Sequence, residues 1–375
     1  MGDAMWVWLA LPSTVIWLAV LIVPWLPWLN REYLEPDSVT TVSKDDMDLS
    51  EVTVLVPARN EVGTIAATVE ALYTQGVGLR ILVIDDQSED RTADLARTAG
   101  ATVLQGAPLL QGWTGKLWAL EQGLAHVQTP LTLLLDGDIV LKPNLLAALL
   151  HHKRESGAQL VSLMADLRRI SFWDCLLLPA FVYYFKLLYP FAISNSRSPW
   201  VAAAAGGCIL VETEVLRTIG AFSSMRDALI DDCTLARQVK EAGGRIWIGL
   251  SRGVVSYRLY TSFNAIYQMI ARSAYTQLRY SLWLLWAVTV VFIVAYWLPL
   301  VVLLIGTGIS RMVAFTAFIA MLISYIPTLY YYRVSPYFAL LLPVTGTLYL
   351  AMTWGSALRY WRGVRSSWKG RNYTR

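Results

Sequence analysis

Two aspartates separated by one glycine, Asp136-Gly137-Asp138, follow the short apolar run LTLLL at 131–135. In an extended chain, residues two apart face the same side, so both carboxylates would face one ligand. Mg²⁺ and Mn²⁺ prefer oxygen ligands and often bind through one or two carboxylates together with substrate phosphates. Asp-Gly pairs are also common in turns, so the metal interpretation depends on what lies nearby.

Polar residues follow two earlier apolar runs in the same way. The run at 52–57 leads into Arg59-Asn60-Glu61, and the run at 79–84 leads into Asp85-Asp86-Gln87-Ser88. Each cluster alone has an ordinary explanation, because Asp and Ser cap helices and charged residues are common on solvated surfaces. Three clusters at the ends of successive apolar runs instead favour one shared ligand site.

The elements that would position these clusters alternate along the chain. The runs at 52–57, 79–84, 101–105 and 131–135 predict strands, and those at 61–75, 92–99 and 115–128 predict helices. Such alternation indicates an α/β fold with a mostly parallel, doubly wound sheet, whose ligands bind beyond the carboxyl ends of the strands. Neither a GxGxxG motif after the first strand nor a Walker lysine loop is present. A nucleotide diphosphate would therefore be held through a divalent metal rather than by a glycine nest.

The chain as a whole is too apolar for an ordinary soluble protein. Of its 375 residues, 56% are hydrophobic and 15% are charged, and the mean hydropathy is +0.47. Uncharged runs long enough to cross a bilayer cover 5–29, 281–310, 312–332 and 334–358. The first run lacks a basic segment before it and a clear cleavage site after it, which favours a retained anchor over a cleaved signal peptide. The predicted layout is an anchor at 1–30, a globular domain at 44–280, a membrane bundle at 281–358 and a basic tail at 359–375.

Two segments bear on how the chain meets the membrane. The tail carries six basic residues and no acidic one, a pattern that favours the cytoplasmic side, where it also meets anionic lipid. Three C-terminal spans would place the tail opposite a cytoplasmic globular domain, so either one run is re-entrant or interfacial or the rule fails here. Residues 170–200 are rich in aromatic residues but contain Asp174 and Lys186, which is typical of a helix in the membrane interface. Packing in the core of the globular domain is the alternative.

Several classes of function are disfavoured. Cys175, Cys208 and Cys233 show no CxxC spacing, so they indicate neither a disulfide framework nor a zinc site. The net charge of +4 is concentrated in a short tail beside a span, without a nucleic-acid recognition fold, so no nucleic-acid partner is expected. The membrane runs contain hardly any ionisable groups, which argues against an ion-driven transporter.

The segments VPARNE, VIDDQSEDRT and DGD together resemble the family 2 glycosyltransferases of GT-A fold, over roughly residues 50–280. The segments GWTGKLWALEQG, AAGGCILV and IDDCTLA, with the membrane layout, resemble the hopanoid-associated glycosyltransferases and, more distantly, the ceramide glucosyltransferases. The resemblance implies a multi-pass protein of a bacterial inner membrane, with a cytoplasmic catalytic domain. Its reaction would move one hexosyl or N-acetylhexosaminyl group from a nucleotide sugar, with UDP as the expected nucleotide, to a hopanoid-related lipid in the bilayer. Polyprenyl phosphate and sphingolipid-like acceptors stay open, as does a non-catalytic protein that binds sugar nucleotide or lipid.

The resemblance also implies roles for single residues. The nucleotide would be held by Pro57, Arg59, Glu61, Asp85, Asp86 and Lys116; Asp136 would contact ribose or metal, and Gly206-Gly207 would line the donor sugar. Asp138 would be the principal ligand of Mg²⁺ or Mn²⁺. Simpler explanations exist for two of these, since Lys116 could be a solvated lysine at a helix start and the glycines a tight strand entry.

Asp231-Asp232 stands where the family usually has Glu-Asp. The match implies that Asp232 is the base that deprotonates the acceptor hydroxyl in an inverting transfer, with capping of the next helix as the alternative role for either carboxylate. The QxxRW-like motif of processive and lipid-acting relatives is missing, and QMIARSAYTQLRY at 268–280 stands in its place. Within it, Arg272, Gln277 and Arg279 are candidates for contact with the diphosphate or the membrane interface. Nothing in the sequence supports processive synthesis.

Overall fold

The computed structural model describes residues 3–38, 47–260, 262–369 and 371–374, with the backbone alone at 364–368 and 371–374. The predicted start of the globular domain at 44 lies outside the described residues. A sheet of eight strands, in the order β3-β2-β1-β4-β7-β6-β8-β5, forms the centre of the globular domain. The strands are β1 (Val52–Ala58), β2 (Arg80–Asp85), β3 (Thr102–Gln105), β4 (Leu131–Leu135), β5 (Ile139–Leu141), β6 (Leu160–Leu167), β7 (Cys208–Glu212) and β8 (Ile246–Ser256).

The two halves of the sheet differ in direction. Strands β3, β2, β1 and β4 run parallel, as predicted from the sequence. β7 is antiparallel to both β4 and β6, and β5 is antiparallel to β8, whereas β6 and β8 are parallel. β1 and β4 are buried along their whole length, which explains why their sequences are continuous apolar runs rather than alternating ones. The predicted α/β fold class is confirmed, with a second half of mixed direction.

Helices cover both faces of this sheet. Those between the parallel strands lie near their predicted positions: α2 (Ile65–Tyr73), α3 (Thr92–Thr98) and α4 (Gly115–Leu124). The second half adds α5 (Leu145–Ser156), α6 (Phe172–Leu188), α7 (Phe191–Ser194), α8 (Thr213–Thr218) and α9 (Asp231–Glu241). This packing brings the carboxyl ends of β1, β2 and β4 to one edge of the sheet, where the polar clusters of the sequence lie.

Four helical segments of the described chain are long and apolar enough to cross a membrane. The first is α1 (Asp3–Ile22), which precedes the sheet. The other three follow α10 (Phe263–Ala271) and α11 (Ala274–Gln277): they are α12 (Leu282–Phe292) with α13 (Leu298–Ile305), α14 (Gly308–Tyr331), and α15 (Leu342–Trp361) with its preceding 3₁₀ turn. A π-helical turn joins α12 to α13, and its carbonyls at Val294 and Ala295 accept hydrogen bonds from Ser13 and Trp17 of α1. The side-chain donors of Ser13 and Trp17, which would be costly to leave unpaired in hydrocarbon, are thus satisfied inside the bundle.

The last of these helices, α15, packs against a different set of partners. α1, α13 and α14 pack on one another, whereas α15 contacts α6, α10, α11 and α12. The hydroxyl of Tyr349 donates to the carbonyl of Leu177 in α6 at 2.8 Å, and Ser356 accepts from the backbone N–H of Tyr275 at 3.1 Å. α15 therefore lies beside α6, the segment for which the sequence predicts a membrane-interface position.

The C-terminal tail forms a hairpin on the globular domain. Strands β9 (Val364–Trp368) and β10 (Arg371–Thr374) pair antiparallel, and Lys369 in their connection reaches Glu61 in the loop after β1. The side chains of the tail residues Arg365, Arg371 and Arg375 lie outside the described residues. The tail is thus in contact with the globular domain. Three C-terminal spans would instead place the tail and the globular domain on opposite sides of the membrane.

Candidate active site

A cavity of about 570 Å³ opens at the carboxyl ends of β1 and β4. Its charged lining residues are Glu61, Lys116, Asp136, Asp138, Asp231, Asp232, Arg258, Arg272 and Lys369. Its apolar lining comes from β6, α6, α10 and the segment after β8, and includes Met164, Phe181, Phe185, Leu259 and Met269. Pro57, Gly206 and Gly207 also border it. One cavity therefore combines a charged wall with an apolar wall.

The two aspartates of the DGD motif lie on a tight turn between β4 and β5. The backbone N–H of Ile139 donates to the carbonyl of Asp136 at 3.0 Å, which closes the turn. The carbonyl of Gly137 accepts hydrogen bonds from the hydroxyls of Thr64 and Thr68 of the α2 region, at 3.0 and 3.1 Å. The expectation of an extended chain was wrong, because the strand reverses here. Both carboxylates nevertheless line the cavity.

Asp138 is buried, and its carboxylate is held by two partners from the end of β8. Its Oδ2 accepts from Ser256 Oγ at 2.9 Å and from Arg258 Nε at 3.3 Å. The same guanidinium donates through Nη2 to Glu61 Oε1 at 2.9 Å. Arg258 thus links the loop after β1 to the DGD turn. The sequence analysis missed it, although it follows a strand end in the same manner as the predicted clusters.

Lys116, in the first turn of α4, lies among carboxylates rather than in open solvent. Its Nζ is 2.7 Å from Asp136 Oδ1 and 3.4 Å from Asp231 Oδ2. Burial lowers the pKa of Lys116, but the two carboxylates outweigh this effect and raise it above its ordinary value. Lys116 is therefore a permanent positive charge on the cavity wall.

Asp232 lies in the first turn of α9, with both carboxylate oxygens held by backbone donors. Oδ2 accepts from the N–H of Gly206 at 2.9 Å, and Oδ1 accepts from the N–H of Cys233 at 2.7 Å. The helix begins at Asp231, and its N-cap position is Ile230, so neither aspartate occupies the cap. Burial and the charge of Asp231 raise the pKa of Asp232 to about 6, although Lys116 opposes them. A carboxylate with such a pKa is suited to accept a proton near neutral pH.

Three residues predicted to hold the nucleotide, Arg59, Asp85 and Asp86, are buried beside the cavity and are not among its lining residues in the described parts of the chain. The guanidinium of Arg59 donates to the carbonyls of Asp86 and Gln87 at 2.8 and 2.7 Å, and pairs with Glu89 at 3.2 Å. Asp85 is buried, and its Oδ2 accepts from Gln105 at 2.9 Å. Its Oδ1 is buried without a hydrogen-bond partner among the described residues. Asp85 therefore offers one free acceptor, whereas Arg59 is committed to the backbone.

The segment that replaces the QxxRW-like motif contributes one residue to the cavity. Arg272 lines it, whereas Gln277 and Arg279 do not belong to its lining among the described residues. Gln277 accepts a hydrogen bond from the hydroxyl of Tyr189 at 2.6 Å, and Arg279 is exposed. Gln277 thus links α11 to the residue that follows α6, and Arg279 lies at the surface.

The carboxylates fit only one mode of metal binding. Nowhere in the described parts of the chain do three or more His, Cys, Asp or Glu residues come together closely enough to hold an ion. An ion at Asp138 and Asp136 would take most of its ligands from water and substrate phosphate, as Mg²⁺ commonly does. The donor set of carboxylate oxygens fits such an ion.

Comparison with known proteins decides the family. The family model described as "Glycosyltransferase like family 2" matches residues 50–276, which is more than half of the chain. The chain belongs to glycosyltransferase family 2. Residues 50–276 are thus a family 2 glycosyltransferase domain, and the eight-stranded sheet and its covering helices form the GT-A-like fold of that domain.

Curated relatives match only part of this glycosyltransferase. The 4,4′-diaponeurosporenoate glycosyltransferase of Staphylococcus aureus strain MRSA252 is 33% identical over 108 residues, covering 28% of this chain and 29% of that protein. The enzyme of strain USA300 is 36% identical over 89 residues, or 24% of each chain. The matches span less than a third of these relatives' length.

A solved structure shares the fold over nearly the whole chain. The mannosyltransferase PcManGT from Pyrobaculum calidifontis, in complex with GDP-Man and Mn²⁺, has a TM-score of 0.57 and 17% sequence identity. The superposition covers 94% of this chain and 99% of that one. At this identity, the likeness shows a common GT-A-like fold and nothing more specific. The closer resemblance to hopanoid-associated and ceramide enzymes stays a prediction.

Proposed function

We propose that this glycosyltransferase moves one sugar from a nucleotide sugar to the hydroxyl of a membrane lipid, with inversion at the anomeric carbon and with a divalent metal. The observation that carries the proposal is the position of Asp232. This half-buried carboxylate, with its raised pKa, borders a cavity that has both a charged wall and an apolar wall. A water-soluble donor and a lipid acceptor would need such a combination.

The charged wall suits the donor. Asp138 and Asp136 would hold Mg²⁺ or Mn²⁺ together with the donor diphosphate, and the ion would offset charge on the departing nucleoside diphosphate. Asp85 Oδ1 has no partner among the described residues but is buried outside the cavity lining, so it would meet the base or ribose only after the loops around it open. Lys116 lies between the metal carboxylates and the base, where its charge would face the phosphates. UDP is the expected nucleotide.

The chemistry at Asp232 is one displacement. Its carboxylate takes the proton from the acceptor hydroxyl as that oxygen forms a bond to the anomeric carbon. The bond from this carbon to the diphosphate oxygen breaks on the opposite side, so the configuration inverts and the diphosphate leaves with the bonding electrons. Gly206 and Cys233 orient the carboxylate through their N–H groups.

The apolar wall suits a lipid acceptor. Phe181 and Phe185 of α6 and Met269 of α10 line the cavity, and both helices also contact α15. Exposed Phe172, Trp173 and Trp200 flank this region, as aromatic residues do at the headgroup level of a bilayer. The S. aureus relatives, named for 4,4′-diaponeurosporenoate, support an apolar acceptor of this type. A hopanoid-related polycyclic alcohol is the acceptor that we expect.

The contacts of the helices favour three membrane crossings rather than four. Asp3 at the start of α1 accepts a hydrogen bond from Ile309 at the start of α14, and Asn30 after α1 donates to Pro327 near the end of α14. α1 and α14 therefore run in the same direction, with α12 and α13 returning between them. α15 contacts α6, α10, α11 and α12, and we infer that it lies in the interface rather than across the membrane. The basic tail then stays on the catalytic side, which the positive-inside rule identifies as the cytoplasm.

The experiment that tests the reaction uses the full chain in membranes with Mg²⁺ or Mn²⁺. Release of nucleoside diphosphate from a panel of nucleotide sugars is measured with and without a polycyclic alcohol, a ceramide or a polyprenyl phosphate. We expect release that depends on the alcohol, and its loss in Asp138→Asn and Asp232→Asn. The exposed Asp94→Asn, a substitution far from the cavity, is the matched control. Release from no donor under any acceptor would contradict the proposal.

The topology has its own test. Epitope tags are placed before α1 and after the tail, and each is exposed to antibody in intact and in permeabilised spheroplasts. We expect the first tag to react in intact spheroplasts and the second only after permeabilisation. A tail tag that reacts in intact spheroplasts would require α15 to cross the membrane.

A further inference from the structure

Lys369 reaches the cavity from the far end of the chain. Its Nζ is 2.6 Å from Glu61 Oε1, and its carbonyl accepts a hydrogen bond from Arg59 Nε at 3.3 Å. Its side chain is only 17% exposed and lines the cavity beside the DGD turn. Its backbone has a φ of 47°, a left-handed conformation that is uncommon for a residue other than glycine. The hairpin connection is thus built so that its lysine enters the site.

Two of the other three cations of the charged wall are already shared between carboxylates. Lys116 lies between Asp136 and Asp231, and Arg258 bridges Glu61 and Asp138. The ammonium of Lys369 has three N–H donors, of which Glu61 accepts one. It can therefore bind further anionic oxygens without leaving the carboxylate.

We propose that Lys369 is a ligand of the donor diphosphate, carried into the active site by the C-terminal hairpin. This inference rests on the proposed function, because it concerns the donor of the same reaction. A lysine ammonium binds phosphate as a compact point charge. Arg59, which the sequence resemblance implied for nucleotide binding, has its guanidinium committed to backbone carbonyls and Glu89. Lys369 supplies the positive charge at this loop instead.

The proposal assigns the basic tail a role that attraction to anionic lipid does not explain. A residue that served only lipid attraction would face the bilayer surface rather than a cavity lined by five carboxylates, Glu61, Asp136, Asp138, Asp231 and Asp232. Arg362 of the same tail is exposed and makes no side-chain contact among the described residues, so it fits the surface role. Substitutions at Lys369 and at Arg362 therefore test diphosphate binding and lipid attraction separately.

The test measures binding of nucleoside diphosphates to the purified full chain in detergent with Mn²⁺, by calorimetry. UDP, GDP, ADP and CDP are screened, and the tightest is compared with its own nucleoside. We expect Lys369→Ala to weaken diphosphate binding about tenfold, as for loss of a hydrogen bond to a charged group, and to leave nucleoside binding unchanged. Lys369→Arg should restore most of the affinity, and Arg362→Ala should bind as the unaltered chain does. Lys369→Gln replaces the alanine variant if thermal unfolding shows that the latter is unstable.

The outcomes separate this inference from the proposed function. Unaltered protein that binds none of the four diphosphates would overturn both. Unaltered protein that binds and turns over its donor, with the affinity unchanged in Lys369→Ala, would overturn the role of Lys369 alone. Equal weakening of diphosphate and nucleoside in that variant would assign Lys369 a structural role in the loop after β1, and would also overturn the inference.

Discussion

The backbone N–H of Gly206 lies 2.9 Å from Asp232 Oδ2, so a glycine that lines the cavity also holds the carboxylate that we propose as the base. Burial and the charge of Asp231 raise the pKa of Asp232 to about 6, whereas Lys116 and the N–H groups of Cys233 and Gly206 lower it. The balance leaves a carboxylate that is ionised at neutral pH and is more basic than an ordinary aspartate. Its protonation state should therefore control the rate.

The first prediction concerns the pH dependence of transfer. Because only ionised Asp232 can accept the proton of the acceptor, kcat/KM should be constant at neutral pH and should fall as the pH drops through about 6. Initial rates measured between pH 5 and 8 at saturating metal would show this acidic limb. A limb near the ordinary aspartate pKa of about 4 would argue against Asp232 as the base.

The second prediction concerns Lys116, whose positive charge lowers the pKa of Asp232. Lys116→Gln removes this charge, so the acidic limb of the pH profile should move to higher pH. Stability should fall by about 1 kcal/mol, because the half-buried carboxylates of Asp136 and Asp231 lose their partner. Lys153→Gln is the matched control, since Lys153 is similarly buried and pairs with Glu212 at 2.6 Å outside the cavity. The control should lose stability without any change in the pH profile. An unshifted limb in Lys116→Gln would contradict the electrostatic coupling.

The predicted site residues share a property that the sequence displays directly. Glu61, Asp136 and Asp138 each follow a buried apolar run, and parallel strands bring their carboxyl ends to one edge. Local pattern was therefore enough to find them. The DGD segment was nevertheless expected to be extended, because hydrophobic pattern does not reveal where a chain reverses.

Arg258 and Lys369 were missed for a different reason. Strand β8 contains Gly249, Ser251 and Gly253, which interrupt the apolar pattern that would have marked its end. Lys369 is 308 residues from Glu61 in the chain, and the last three candidate spans lie between them in the sequence. Pairings at such sequence separation depend on tertiary packing, which local periodicity does not encode.

The third prediction concerns the space at Gly206. A Cβ built on this residue would lie 3.2 Å from Lys116 Nζ and 3.4 Å from Asp232 Oδ2. Gly206→Ala should displace these side chains by a few tenths of an ångström and lower kcat about tenfold, because catalysis is sensitive to the position of reacting groups. Gly63→Ala, where a Cβ meets nothing within 4 Å, should leave kcat unchanged. Equal kcat in both variants would show that the sugar-binding region tolerates a methyl group.

The fourth prediction concerns the hydroxyl that holds the carboxylate of Asp138, which we propose as the metal ligand. Ser256 Oγ donates to Asp138 Oδ2 at 2.9 Å, and both residues are buried, so Ser256→Ala leaves the carboxylate in place but less constrained. Partners behind a metal ligand affect metal affinity about 10–100-fold, so the Mn²⁺ concentration for half-maximal activity should rise at least about tenfold. Ser251→Ala is the control, because Ser251 is equally buried on β8 and its hydroxyl accepts from Gly253 instead. A metal requirement that rises equally in both variants would point to a general weakening of β8. A rise in Ser256→Ala alone would identify Asp138 as the carboxylate through which the metal acts.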